Sequence, residues 1–289
     1  MNRRNFILGT GSLLATAALG KPIRSLVAEA GNDFSAPTQI PSVADYVQHG
    51  LIGLWDGLDN IGIGEHIDGN TPWVNLVSGE VLNVEGSYFF DGNHLDMTSN
   101  AVGLTTPFNN SDFRSAWQAA VDAREYTYEV VQGVYSSPGY VSFTKSLIIV
   151  LDVNPYGFLI QTYANGDRVL ANANGSGSGY YWLDRVTPNG GGMDDHTLTY
   201  VASPSGEKRV AAEAYVDGRF GKGAVLPTSS VADEDISFVS MRNNPIRLGR
   251  SSYNLQSADR VYAIRFYNRA LSEAEIAYNR MLDRRRFGI

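Results

Sequence analysis

The chain has 289 residues, no cysteine and a formal net charge of −7 at pH 7. The missing thiols exclude disulfides, thiolate zinc sites and a cysteine nucleophile. The acidic balance repels phosphate backbones and argues against nucleic acid as a partner.

Arg3-Arg4 stands directly before the apolar run from Phe6 to Leu19. That run is shorter than the ~20 residues of a membrane span. Ala28-Glu29-Ala30 follows and fits the A-x-A pattern of a signal peptidase site. The layout resembles a Tat-type export signal over residues 1–30, cleaved after Ala30, with an uncleaved anchor helix as the alternative. No cysteine follows the run to accept a lipid. Cleavage removes four positive charges (Arg3, Arg4, Lys21, Arg24) and one negative (Glu29), which takes −7 to −10. The remaining residues suffice for one large β domain. Without disulfides, an exported chain depends on its core for stability. The expected location is periplasmic, cell-surface or secreted, with no stable membrane span after cleavage.

Residues 31–44 are polar and Pro-containing and read as a linker to a domain over 45–289. Short apolar runs, frequent Gly and frequent aromatics then predict a meander of strands. Leu51–Trp55 is the first strand, and Gly86–Phe90 is a strand entering a turn at Asp91-Gly92. Phe113, Trp117, Ala120 and Val121 recur at helical spacing, which predicts a short helix over Asp112–Arg124. Further strands are expected at Tyr126–Val134, Ser146–Val153, Gly157–Tyr163, Thr197–Ala202, Arg209–Val216 and Pro245–Gly249. Asp217-Gly218 marks a tight turn. Arg260–Tyr267 is a closing strand, broken by Asn268-Arg269-Ala270. Ser272 and Glu275 then form a capping box at the start of a C-terminal helix. No repeat of fixed period points to a solenoid or propeller.

This closing strand, turn and helix resembles the C-terminal signature of LamG-like jelly-roll domains, within the concanavalin A-like lectin/glucanase superfamily. Trp73–Gly79, Tyr88–Gly92, Tyr126–Val130, His196–Tyr200, Ala214–Gly218 and Ile246–Gly249 resemble that family's segments in the family's order. No Trp precedes His196, and Asp217 stands where the family usually has Asn. The resemblance implies an all-β fold: a two-sheet antiparallel jelly-roll sandwich with a short internal helix and a short C-terminal helix.

The superfamily includes retaining β-glucanases, whose paired Glu residues share one strand face. The nearest match here is Glu125-Tyr126-Thr127-Tyr128-Glu129, with Thr127 in place of the central Asp. That loss removes the charge that would balance the proton between the two carboxylates. A structural Glu pair is the reading weighed against it. The four histidines, His49, His66, His94 and His196, show no H-x-x-x-H or H-x-H spacing, so no zinc site or other metal site is expected. No G-x-S-x-G elbow occurs. Calcium remains open as a ligand of Asp194-Asp195, or of Asp152 with Asp167; solvated loop acids are the other reading. No other cofactor is expected.

Aromatic residues are the stronger lead. Sugar rings lay their C–H faces on flat side chains while polar neighbours take the hydroxyls. A Gly/Ser loop runs into Tyr180, Tyr181 and Trp182, followed by Asp184 and Arg185. Adjacent strand residues point to opposite faces, so these rings cannot all be core. Tyr140 and Tyr156 sit in loop-like contexts and join them as candidate ligand-binding residues. Packing over loop backbones is the alternative for each ring. Trp55 and Trp73 fall in strand segments and read as core. Three functions follow: a non-catalytic carbohydrate-binding or adhesive domain for a glycan or surface polysaccharide, a β-glucanase-type hydrolase using Glu125 and Glu129, or a structural surface protein with a protein partner.

Overall fold

The computed structural model describes residues 40–60, 72–85, 89–96, 103–105, 112–133, 145–148, 159–163, 166–173, 180–184, 195–206, 209–227, 247–249 and 260–289. Pro41–Ile289 cluster as one compact unit. The strands are β1 (Leu51–Asp56), β2 (Trp73–Val74), β3 (Val81–Glu85), β4 (Phe89–Asp91), β5 (His94–Asp96), β6 (Gly103–Thr105), β7 (Tyr126–Gly133) and β8 (Lys145–Ile148). They continue as β9 (Leu159–Tyr163), β10 (Gly166–Ala173), β11 (Tyr180–Asp184), β12 (His196–Pro204), β13 (Arg209–Val216), β14 (Arg219–Pro227), β15 (Arg247–Gly249) and β16 (Arg260–Tyr267). Helix α1 spans Asp112–Ala123 and helix α2 spans Glu273–Phe287.

The fold is an all-β sandwich with antiparallel sheets and short helices. The large sheet runs β14-β13-β12-β7-β16-β5-β4. The closing strand β16 is its centre: one edge pairs with β7, and the other pairs with β5 at Arg260–Val261 and with β1 from Ala263 to Tyr267. Two four-stranded sheets, β2-β3-β6-β15 and β8-β9-β10-β11, supply the opposing layer. The tight turn at Asp217-Gly218 joins β13 to β14 with both residues at positive φ, 52° and 75°. Asp is one of the few side chains that accept this conformation.

Alternation divides the strands of the large sheet between two cores. Tyr126, Tyr128 and Val130 of β7 face inward with Leu198, Tyr200 and Ala202 of β12 and Ile264 and Phe266 of β16. Trp73 and Leu82 meet them from β2 and β3, Leu183 from β11, and Phe113 and Trp117 from α1. The packing is aromatic: Trp117 and Phe266 meet edge to face at 4.8 Å, and Tyr128 stacks on Tyr200 at 5.0 Å. The apolar stripe of α1 is therefore explained by this core.

The outer face of the same sheet is covered by α2. Ser272 caps the helix, with its backbone N–H donating to Glu275 at 2.9 Å, and Gly288 ends it in a left-handed conformation. Its buried residues (Ile276, Asn279, Arg280, Leu282, Asp283, Arg286 and Phe287) have helical spacing, yet more than half are polar or charged. Apolar contacts hold the two ends of the helix. Ile276 packs with Val201, Tyr215 and Tyr267, while Phe287 packs with Val131, Tyr262 and Ala263. Between these clusters the helix meets the sheet through charge.

Candidate functional site

The central contact between α2 and the sheet contains Glu129. Its carboxylate is fully buried. Oε2 accepts from Arg265 Nε and Asn279 Nδ2, each at 2.8 Å, and Oε1 accepts from Thr199 Oγ1 at 3.1 Å. The remaining Arg265 nitrogens donate to both oxygens of Asp283 at 2.7 Å. Asp283 also accepts from the Tyr46 hydroxyl and Thr197 Oγ1, each at 2.9 Å. Burial pushes the Glu129 carboxyl above its ordinary value, against the pull of Arg265. Burial would lower Arg265 in turn, but Asp283 and Glu129 hold it well above its ordinary value. Glu125 lies exposed just before β7. The two carboxylates of the candidate hydrolase pair thus differ completely in setting: one is open to water and the other is sealed under a helix.

A second polar cluster sits where β4, β5 and the start of β16 meet. Asp91 and His94 are cross-strand partners around the turn at Gly92-Asn93. Asp96 lies two residues beyond His94 and so shares its face. One ligand atom from each of Asp91, His94 and Asp96 lies within 4.8 Å of the others. The His94 ring packs at 5.1 Å from the Tyr262 ring. A β-bulge falls between Val261 and Ala263, which brings Tyr262 and Ala263 onto one face. The Tyr262 hydroxyl donates to Asp195 at 2.9 Å, and Arg260 pairs with the same carboxylate at 2.9 Å. Burial lowers the His94 pKa from its ordinary value, and the Arg260 charge adds to this, while Asp91, Asp96 and Asp195 oppose it.

Two glycines make this corner. A Cβ on Gly133 would lie 1.9 Å from Asp195 Oδ1, and a Cβ on Gly57 would lie 2.3 Å from the Asn93 carbonyl oxygen. Both distances are far inside van der Waals contact: the Asn93 backbone cannot yield to a side chain at 57, and a side chain at 133 would push the Asp195 carboxylate off its pair with Arg260.

Of the aromatic candidates, Tyr180, Tyr181, Trp182 and Asp184 form the backbone of β11, which pairs with β10 in the register Trp182↔Leu170 and Leu183↔Val169. Leu183 is buried in the inner core. Arg185, Tyr140 and Tyr156 lie outside the described residues, as do Arg3, Arg4, Ala28 and Ala30 of the export signal, and Asp152 and Asp194. Trp55 and Trp73 are core, as their strand positions suggest. The grouping of Asp91, His94 and Asp96 is absent from the sequence reading. Its signal is D-G-N-H-L-D, an alternating His and Asp after a turn whose near-side residue is also Asp. A search for His-to-His spacing passes over it.

No family model matches the chain, and no curated protein matches it. Solved structures do. A Trypanosoma rangeli sialidase in complex with 2,3-difluorosialic acid aligns with a TM-score of 0.55 and 16% identity, over 87% of this chain and 35% of its own. The binding domain of Paraclostridial Mosquitocidal Protein 1 aligns at 0.50 and 11% identity, over 80% of this chain and 52% of its own. Domain 4 of AbnA, a GH43 extracellular arabinanase from Geobacillus stearothermophilus in complex with arabinotriose, aligns at 0.43 and 14% identity, over 78% and 96%. The chain spans about a third of the sialidase's length and about half of the mosquitocidal binding domain's. At these identities the likeness to the first two is one of fold, a β-sandwich.

Proposed function

We propose that this chain is an exported, non-catalytic carbohydrate-binding or adhesive domain, and that β11 with its flanking loops forms the rim that holds the glycan. The observation that carries the non-catalytic reading is the burial of Glu129. A glycosidase carboxylate must reach the bond it cleaves, and this one is spent on Arg265, Asn279 and Thr199 beneath α2. The aromatic strand is then the feature best suited to a sugar. Leu183 belongs to the core, and Tyr180, Tyr181, Trp182 and Asp184 lie beside it along the same strand. Rings and an acid so close in sequence carry the two chemistries a sugar needs, a flat apolar face and an acceptor for hydroxyls. The sialidase was solved with a sialic acid derivative, which makes sialosides one class of glycan to test.

A glycan array on the exported chain, run with and without calcium, tests this reading. A glycan that binds the parent should bind Trp182→Ala more weakly by about 1–3 kcal/mol, a range borrowed from nucleobases stacked on aromatic side chains, with the melting temperature unchanged. If no glycan binds, or if Trp182→Ala melts early and keeps full affinity, the rim assignment is wrong. Release of reducing ends from a β-glucan, abolished by Glu129→Gln in a folded protein, would overturn the non-catalytic reading.

A further inference from the structure

We infer that the β4–β5 hairpin binds one divalent transition-metal ion through the carboxylates of Asp91 and Asp96 and the imidazole of His94. The three ligand groups are assembled by backbone geometry. A cross-strand pair at a two-residue turn places Asp91 opposite His94, and the two-residue strand period adds Asp96 to the same side. Their ligand atoms already lie within 4.8 Å of one another. Bonds of about 2.0–2.2 Å to a tetrahedral ion require separations of about 3.4 Å. Binding would draw the three ligand atoms together by up to about 1.4 Å.

The imidazole is prepared for this role from outside the cluster. Asn93 Nδ2 donates to the backbone carbonyl of Phe287, at the end of α2, at 2.7 Å. That bond turns Asn93 Oδ1 toward His94 Nδ1, 3.1 Å away. An oxygen there accepts only if Nδ1 carries the proton, which leaves the lone pair on Nε2. Orientation of a ligand histidine by a second group of this kind is the usual support for a metal site. Packing against Tyr262 holds the ring.

Charge also fits. The two carboxylates offset the ion's two positive charges. Arg260, a cation beside His94, is paired with Asp195 at 2.9 Å. The mixed donor set favours zinc, cobalt or nickel over calcium and magnesium, which prefer all-oxygen shells. Asp91 is exposed, so the site opens to solvent. Three protein ligands leave a fourth position for water or for an atom of a bound molecule.

The test strips the purified chain with a chelator and titrates it with Zn²⁺ by calorimetry, then with Co²⁺ by visible absorption. One ion per chain should bind, with calcium and magnesium unable to compete, and Co²⁺ should give the intense bands of a four-coordinate site. His94→Ala should weaken binding by more than about tenfold, since loss of a mere supporting group already costs about 10–100-fold. Asp91→Asn, at an exposed turn position, should keep the fold and weaken binding likewise. Absence of saturable one-to-one binding overturns the assignment. So does an affinity left unchanged by Asp91→Asn, which also decides the matter if His94→Ala fails to fold.

Discussion

Removing the Asp283 carboxylate tests how α2 is attached. Asp283 is fully buried and receives four hydrogen bonds: two from Arg265, one from Tyr46 and one from Thr197. Asp283→Ala leaves the Arg265 guanidinium facing Glu129 alone and leaves two hydroxyls without their acceptor. Breaking a buried ion pair from one side costs about 3–5 kcal/mol. At about 2–4 °C per kcal/mol for a domain of this size, the melting temperature should fall by about 6–20 °C. Arg265→Met should cost at least as much, because it leaves two carboxylates, Glu129 and Asp283, close together without a cation. Joint replacement of Arg265 by Met and Asp283 by Leu should recover part of the loss, since an apolar pair carries no desolvation cost. Urea titrations of the three variants, followed by far-UV circular dichroism, measure these differences. A loss below about 1 kcal/mol for Asp283→Ala, the value of an exposed pair, would refute the idea that charge clamps the helix to the sheet.

Three further outcomes are expected. Gly133→Ala should destabilise the chain by about 1–3 kcal/mol, as overpacking does, because its Cβ would displace Asp195 and break the pair with Arg260; an unchanged urea midpoint would refute the close approach. Glu275 is held down from 4.5 to about 2, first by its bonds to Arg269 and then by Ser272. Its folded pKa is depressed, so its contribution is present above about 4.5 and is lost as the pH falls toward about 2. Glu275→Gln should therefore lower stability at neutral pH and flatten the acid limb of the melting curve, and parallel limbs in the two proteins would count against the pairing. Replacing Arg3 and Arg4 together by Lys should leave precursor in the cytoplasm; normal export and processing, seen by fractionation and immunoblot, would dismiss the twin-arginine reading.

Much of the fold was legible in the sequence because its signals are local. The Ser272–Glu275 capping box, the helical spacing of Phe113, Trp117 and Ala120, and the Asp217-Gly218 turn each depend on residues a few positions apart. Strand positions such as β7 and β13 followed from β-forming residues between turns. The partners of these elements were not legible. Glu129 reads as half of a spaced carboxylate pair, yet its role comes from Asn279, 150 residues away, and Arg265, 136 residues away. Arg286 likewise meets Asp56 across 230 residues. Helix α2 hides its buried face from a hydrophobicity reading because that face carries Asn279, Arg280, Asp283 and Arg286. Polar groups reach such positions only when a distant partner satisfies them. The sequence by itself determined β1, β7, β12, β13, β16 and both helices, because those rest on local geometry and period, but it passed over β10 and β14. Tertiary structure alone decided which acids are sealed in the interior and which, as at Asp91, His94 and Asp96, face one another near the surface, because charge chemistry depends on distance in space.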